Sequence, residues 1–449
     1  MSIHNRWTMR EIVIGLTALF GGGAVIWLLG SRWWLTALIV AALLIGFHFR
    51  EQIPSWLRAA FVGFIMAVIL TYSGFALQIM RVNIANPPQW DFHLFWTFGQ
   101  ASAQGKNPYH QEYLLNLAAP LNPSDELVAE LYFFHAPPTL FLFAPLGWFD
   151  IHTAYLVWYI LNGILLLVDI LLLWRLFFND RGLIGLLMVA GIVLVTYPTL
   201  ANLHFGQLNY LLLLFVLLLW RHRDQPIAGL WLTLGIFVKP IILVLGLYIL
   251  VRRGWRQIGI ALITGVMISI ATSLVYGTEM FFGYLSNNPI VNKMPIYLYA
   301  EPVNQSLLAT ILRLTNYNLD SGSPLLHPLF LATALLLTLL TVWLVYRMDE
   351  DDTGLGMALT LALALLIFPK TLTHYSFLLL LPLFLIWKQR EKIPSGVIAT
   401  LAFITIVEVF MFVQNGDWTF LSYLLTWLFI AFLIFSFSHV QYRRASQVS

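Results

Sequence analysis

The sequence predicts an all-α polytopic membrane protein, and three observations carry that prediction. Of 449 residues, 60% are hydrophobic and 10% charged, where a soluble chain carries about 25% charge. The apolar residues fall in runs of roughly 14 to 23, most of them long enough to cross about 30 Å of hydrocarbon as helix. No alternating ten-residue pattern appears, which disfavours a β-barrel. Backbone in lipid must then satisfy itself within each run, as helix.

Twelve spans are expected, at 11–29, 33–49, 57–79, 152–174, 183–200, 208–221, 255–276, 326–346, 354–369, 373–388, 394–413 and 419–438. Arg6 and Arg10 precede the first run as they would in a signal peptide. The run is long and has no clear small-residue cleavage site, so it reads as the first span. Two further apolar pieces do not fit simple crossings. One, 133–148, is interrupted by Pro137, Pro138 and Pro145; the other, 227–250, is split by Lys239-Pro240.

Charge in the loops decides how these two pieces run. If both enter and leave on the same side and the N-terminus is cytoplasmic, 17 of the 24 lysines and arginines fall on the cytoplasmic side, as the positive-inside rule requires. Making 227–250 a full crossing would put Arg252, Arg253 and Arg256 outside. It therefore reads as a broken hairpin with its apex near Lys239. Broken backbone at membrane depth is tolerated where it is buried in protein or lines a cavity. Both termini are then cytoplasmic, and two long loops lie outside, at 80–151 and 277–325. The chain reads as one domain over 1–449, with no internal repeat and no soluble domain.

Composition also excludes chemistries. Cysteine is absent, so disulfides, thiolate metal sites and cysteine nucleophiles are ruled out. The net charge of +3 makes no case for nucleic acid as a partner.

The polar groups gather in six segments. Asp91 follows the third span and opens an aromatic stretch containing Phe92, Phe95, Trp96 and Phe98. This is expected as a short interfacial helix ending near Gly105 and turned by Asn107-Pro108, where Asp91 could equally serve as a cap. His135 stands before Pro137-Pro138, which forbid a regular helix start. Asn202, His204, Gln207 and Asn209 open a span from outside, where they could cap helix ends or bind a sugar or phosphate. Lys239 is the sharpest signal. A lysine in mid-membrane costs at least about 2.5–3.5 kcal/mol and marks a ligand site by default, the alternative being an ion pair with Asp169 or Glu408. Asn304 and Gln305 open a helix from outside, and Lys370 and His374 stand at the outer mouth of two spans. Their cations could hold an anionic head group or anchor in the interface by snorkelling.

These segments together resemble glycosyltransferase family 87, the GT-C-fold polyprenyl-phosphate-sugar mannosyltransferases that include a phosphatidylinositol-mannoside mannosyltransferase. The resemblance is carried, in the family's order over roughly residues 80–390, by Asp91-Phe92 with Trp96 and Gly105-Lys106-Asn107-Pro108-Tyr109; by Pro137-Pro138 with Pro145-Leu146; by Gly206-Gln207-Leu208-Asn209; by Gly235 with Lys239-Pro240; by Asn304-Gln305-Ser306 with Arg313; and by His374-Tyr375. His135-Ala136 stands where tyrosine before the prolines is more usual. The two spans within 1–56 look additional to the core pattern.

The resemblance implies a GT-C fold of about twelve spans with two re-entrant or broken hairpins and interfacial helices in the outer loops. It implies transfer of a sugar, by default mannose, from a polyprenyl phosphate to a hydroxyl of a glycolipid or glycan outside the cytoplasm, with inversion. Asp91 matches the catalytic aspartate. The donor phosphate and sugar are expected at Lys239, His374, Lys370, Gln207, Asn209, Asn304 and Gln305, with acceptor or supporting contacts at His135, Trp96, Tyr109 and His204. No cofactor or metal is expected. A prokaryotic plasma membrane is the expected location. Competing readings are a secondary transporter, which would show repeated halves, and a lipid-linked-oligosaccharide ligase or polymerase, which would lean on outer arginines.

Overall fold

The structure, a computed structural model, describes residues 8–29, 33–88, 91–121, 128, 131, 135–287, 299–301, 303–315, 323–348, 354–390 and 423–435. Among these the fold is all-α. The isolated pairing of Asn304 with Leu372 is the sole extended bridge described. The span expected at 394–413, with Glu408, lies outside the described residues.

Three helices come first: α1 (Met9–Leu29), α2 (Trp33–Phe49) and α3 (Ser55–Ala85). α1 packs along α3, and α2 against the later helix α7 (Gly182–Val195). The first outer loop holds α4 (Asp91–Ala103) and α5 (Gln111–Ala118). Gly105, at φ +68°, makes the turn after α4, close to where the sequence placed it. The proline-rich piece 137–148 forms two 3-10 turns around a single α-turn, because Pro137, Pro138 and Pro145 remove the donors a continuous helix needs.

α6 (Ile151–Phe177) is capped by Asp150, whose carboxylate accepts from the backbone N–H of His152 and Thr153 at 3.0 and 3.1 Å. The fifth expected span, 183–200, is broken. α7 stops at Val195 and α8 (Tyr197–Phe205) leaves it at 61°. Pro198 is the reason, since it lacks an N–H and biases the residue before it away from helix. α9 (Asn209–Arg221) follows the Gly206 turn.

The piece 227–250 breaks where expected. α10 (Ala228–Val238) ends at Lys239, whose backbone is extended, and Pro240 opens a 3-10 turn into α11 (Leu245–Val251). α12 (Trp255–Tyr276), α13 (Glu279–Asn287), α14 (Leu307–Leu314), α15 (Pro328–Arg347), α16 (Leu355–Ile367), α17 (Leu380–Lys388) and α18 (423–435) complete the described chain.

Among the described residues, α1, α3, α6, α12 and α15 are each long and apolar enough to cross a membrane, and the bent α7–α8 pair adds a sixth candidate. The other apolar helices are shorter. The architecture is that of an all-α multi-pass membrane protein.

α4 differs from the open interfacial helix expected. Phe92, Leu94, Phe95 and Phe98 are all buried, and the helix packs tightly on the proline-rich piece. A Cβ on Gly99 would sit 2.2 Å from the Phe143 carbonyl oxygen, and one on Gly147 2.3 Å from the Gly99 backbone. Two glycines therefore allow α4 to lie directly on the backbone of 143–147, and its aromatic side chains fill protein interior.

Candidate active site

The polar centre is built around Lys239. Its Nζ donates to Gln207 Oε1 at 2.8 Å and to Asn209 Oδ1 at 3.0 Å, and lies 3.9 Å from the centroid of the Tyr375 ring. An ammonium has donors and no acceptor, so both amides must turn their oxygens toward it. The nitrogen side of Asn209 donates to Asn202 Oδ1 at 2.7 Å and to the His374 carbonyl at 3.3 Å. Asn202 in turn donates to the Pro198 and His374 carbonyls at 2.7 and 3.1 Å. Every member is buried, and the network stitches α8, α9, the break after α10 and the 3-10 turn at 373–379. The ion pair weighed against a ligand role does not form with Asp169. That carboxyl is fully buried in α6, and neither of its oxygens has a hydrogen-bond partner.

Asp91 is coupled to this centre through its charge. It is the first residue of α4 and half-buried. Its charge reaches Lys239, Tyr155 and Tyr375. The approach depends on Gly206. A Cβ there would lie 2.6 Å from the Phe92 Cβ, and the residue holds φ +66°. Glycine alone serves both needs, so the start of α4 seats against the turn that carries Gln207 and Asn209.

Lys370 brings a further positive group, and His374 brings an imidazole beside it. The charges of Lys239 and Lys370 both reach His374. The His374 ring stacks on Tyr375, centroids 5.1 Å apart, and lies 5.8 Å from Phe205. Its Nε2 is buried with no hydrogen-bond partner. Asp91, Gln207, Asn209, Lys239, Lys370 and His374 thus lie on four chain segments whose charges and hydrogen bonds meet around Lys239 and His374.

His135 supports this centre from behind. Its Nδ1 is 3.2 Å from the Val238 carbonyl oxygen, which the break after α10 frees from helix pairing, so a donor Nδ1–H caps α10. The His135 carbonyl accepts from the Tyr109 hydroxyl at 2.7 Å, and the ring packs on Phe95 and Phe143. Burial raises the Tyr109 hydroxyl above its ordinary range, with Tyr284 adding to it. The Trp96 indole donates to the Phe149 carbonyl at 3.0 Å and fastens α4 to the proline-rich piece. His204 is half-buried, and its carbonyl accepts from Asn83 at 2.9 Å.

Asn304 and Gln305 form a separate joint. The Asn304 amide donates to the Tyr299 and Pro369 carbonyls at 2.9 and 3.0 Å and accepts from the backbone N–H of Ser306 and Thr371 at 3.1 and 2.9 Å. Its hydrogen-bonding capacity is committed to backbone. The Gln305 N–H donates to the Thr371 carbonyl at 2.8 Å. The pair fixes the segment that presents Lys370 and His374, and the Asn304 side chain is turned to backbone.

Tyr375 is the residue that sequence reasoning left out of the site. Its adjacency to His374 was visible, but nothing in the sequence places its ring under Lys239. Among the described residues no group of three His, Cys, Asp or Glu side chains lies close enough to hold a metal ion.

The profile of glycosyltransferase family 87 matches residues 133–369, more than half of the chain. The match takes in His135, Gln207, Asn209, Lys239, Asn304 and Gln305; Asp91, Lys370 and His374 lie outside it. No curated protein matches the chain. No solved structure matches it either. The chain belongs to glycosyltransferase family 87 and is a membrane-embedded glycosyltransferase.

Proposed function

We propose that this enzyme moves a sugar, mannose by preference as in a phosphatidylinositol-mannoside mannosyltransferase, from a polyprenyl phosphate to a hydroxyl of a glycolipid or glycan. The transfer inverts the anomeric carbon and takes place on the extracytoplasmic face of a prokaryotic plasma membrane. In this reading the shorter apolar helices also cross, giving about twelve spans in a GT-C-type arrangement with both termini cytoplasmic. One observation carries the proposal: a half-buried carboxylate, Asp91, stands within electrostatic reach of the buried Lys239, and the His374 imidazole lies within reach of both Lys239 and Lys370.

The chemistry needs those two poles. The acceptor hydroxyl attacks the anomeric carbon in line with the departing phosphate, and Asp91 accepts the hydroxyl proton as the new C–O bond forms. The old C–O bond breaks with its electron pair moving to the phosphate oxygen. Lys239, Lys370 and His374 meet the growing negative charge with donors fixed in advance. Gln207 and Asn209 hold Lys239 in place, and no metal ion takes part. A single displacement gives inversion.

The test is transfer from a panel of synthetic polyprenyl-phosphate sugars, using purified protein and a membrane-lipid extract, with Asp91→Asn alongside. Product from one such donor, lost in the variant, supports the reading. Product from nucleotide sugars alone would overturn the donor class.

A further inference from the structure

A groove of about 1270 Å³ runs between α12 and the α10–α11 pair. On α12 it follows one helical stripe from Ile258 through Gly265 to Leu274; Leu243 and Leu250 face it, and Phe282 lies at its far end. Ile258 to Leu274 is about 24 Å of helix at 1.5 Å per residue, most of the roughly 30 Å of bilayer hydrocarbon. The walls carry no charged side chain. Leu243 and Leu274 are 61% and 82% exposed, so the groove opens sideways to lipid.

Its two ends differ in charge. Leu250 and Ile258 lead into the α11–α12 turn, which holds Arg253, Trp255 and Arg256. Arg253 and Arg256 are exposed, and neither takes part in any ion pair described. Trp255 is 67% exposed, an amphipathic ring of the kind that sits at headgroup depth. Arg253 holds φ +58°, a left-handed conformation seldom adopted by a residue with a side chain. Such conformations persist where the surroundings demand them. At the other end the chain continues into Glu279, which is exposed. Lys239, midway along, is turned away to Gln207 and Asn209 and is not part of the wall.

We propose that this groove binds one anionic phospholipid of the cytoplasmic leaflet. Its phosphate lies between Arg253 and Arg256, Trp255 sits beside the headgroup, and an acyl chain fills the groove between α12 and α10–α11. The positive-inside bias puts the α11–α12 turn in the cytoplasm, where anionic headgroups attract exposed arginines. Charge complementarity separates this occupant from the prenyl chain of a sugar donor: Lys239 is turned to Gln207 and Asn209 and does not line the groove, and the Glu279 end carries no cation among its described lining residues. The bound chain braces the helix pair that flanks Lys239. The inference does not rest on the identity of the donor or the acceptor.

The test is a titration of phosphatidylglycerol, and separately of phosphatidylcholine, into the detergent-purified full-length protein, followed by native mass spectrometry. The native protein should retain one phosphatidylglycerol in preference to phosphatidylcholine. The Arg253→Gln, Arg256→Gln double variant should bind it about 30-fold more weakly, as loss of two surface arginines gives. The matching double lysine variant should restore binding. Gly265→Phe, which projects into the groove, should weaken binding with both arginines intact. Equal binding of the two lipids, or retention unchanged in the glutamine variant while the protein elutes as a folded species, would overturn the proposal. So would a Gly265→Phe variant that keeps phosphatidylglycerol and loses sugar transfer, since that outcome gives the groove to the donor chain.

Discussion

Lys239 Nζ sits 3.9 Å above the Tyr375 ring, with the Gln207 and Asn209 oxygens at 2.8 and 3.0 Å on its other sides. The three donors of the ammonium are thus met by two amides and one aromatic face, all neutral. The two amides and the ring carry no charge, so they fix the ammonium without cancelling its attraction for an arriving phosphate. Cation–π contacts contribute up to about 2 kcal/mol when desolvated. Tyr375→Leu is therefore expected to raise the donor KM by up to about 30-fold, and Tyr375→Phe, which keeps the ring, by less than about threefold. Steady-state kinetics with a defined lipid donor separates the two, and equal effects from both variants would move the role from the ring to the hydroxyl.

Asp91→Asn keeps the size and the helix start while removing the base. General-base catalysis contributes about 10²–10⁴-fold, so kcat should fall by that factor with donor binding nearly unchanged. Single-turnover transfer and a donor-binding titration on the same preparation check both halves. Turnover within a few fold of the native enzyme would remove Asp91 as the base.

Gly206 is constrained twice, by φ +66° and by the 2.6 Å that a Cβ would leave to Phe92. Alanine there costs about 1–2 kcal/mol for the left-handed backbone and pushes Phe92, and with it Asp91, away from the Gln207 turn. Gly206→Ala should lower both the melting temperature and kcat. Gly163→Ala, on α6 with open space around its Cβ position, serves as the control and should lower neither.

Asn304→Ala removes the acceptor of the Ser306 and Thr371 backbone N–H groups and the amide donor to the Tyr299 and Pro369 carbonyls, the latter of which still accepts from Ser306 Oγ. Buried unsatisfied groups cost about 1–3 kcal/mol each, so the melting temperature in detergent should drop clearly. Hydrogen exchange should rise at 369–374, the segment that presents Lys370 and His374. Exchange confined to residues around 304 would limit Asn304 to its own helix start.

Burial lowers the His93 imidazole on α4 to about 4, and neither ring nitrogen has a hydrogen-bond partner. The unfolded value is about 6.5, so the folded state favours the neutral ring. Its contribution to stability is complete above about pH 6.5 and is lost as the pH falls through 4. The melting temperature should fall more steeply between pH 6.5 and 4 for the native protein than for His93→Phe. Parallel curves would show that His93 does not titrate alone in this range.

Local patterns in the sequence were enough for some features and not for others. The break at Lys239-Pro240 was legible because proline removes a donor wherever it stands. The same signal at Tyr197-Pro198 lay inside a run apolar enough to pass as one span, and the bend of 61° between α7 and α8 went unseen there. α4 was read as interfacial from its aromatic side chains. Its burial is set by Gly99 and Gly147, which are 48 residues apart and ordinary until the two segments meet. Asn304 was placed with the ligand-binding groups because an asparagine at a helix start can serve either role. Only the carbonyls of Tyr299 and Pro369 beside it decide for a joint.

By itself the sequence determined the all-α membrane class, the helix breaks at proline and the residue types available for reaction, because hydrophobic run length and backbone donors are local properties of the chain. The tertiary structure decided which of those residues share one centre. Asp91, Gln207, Asn209, Lys239, Lys370 and His374 come from segments separated by up to 283 residues (91 to 374), and their approach follows from glycines that let backbones touch and from amides whose oxygens must face a buried ammonium.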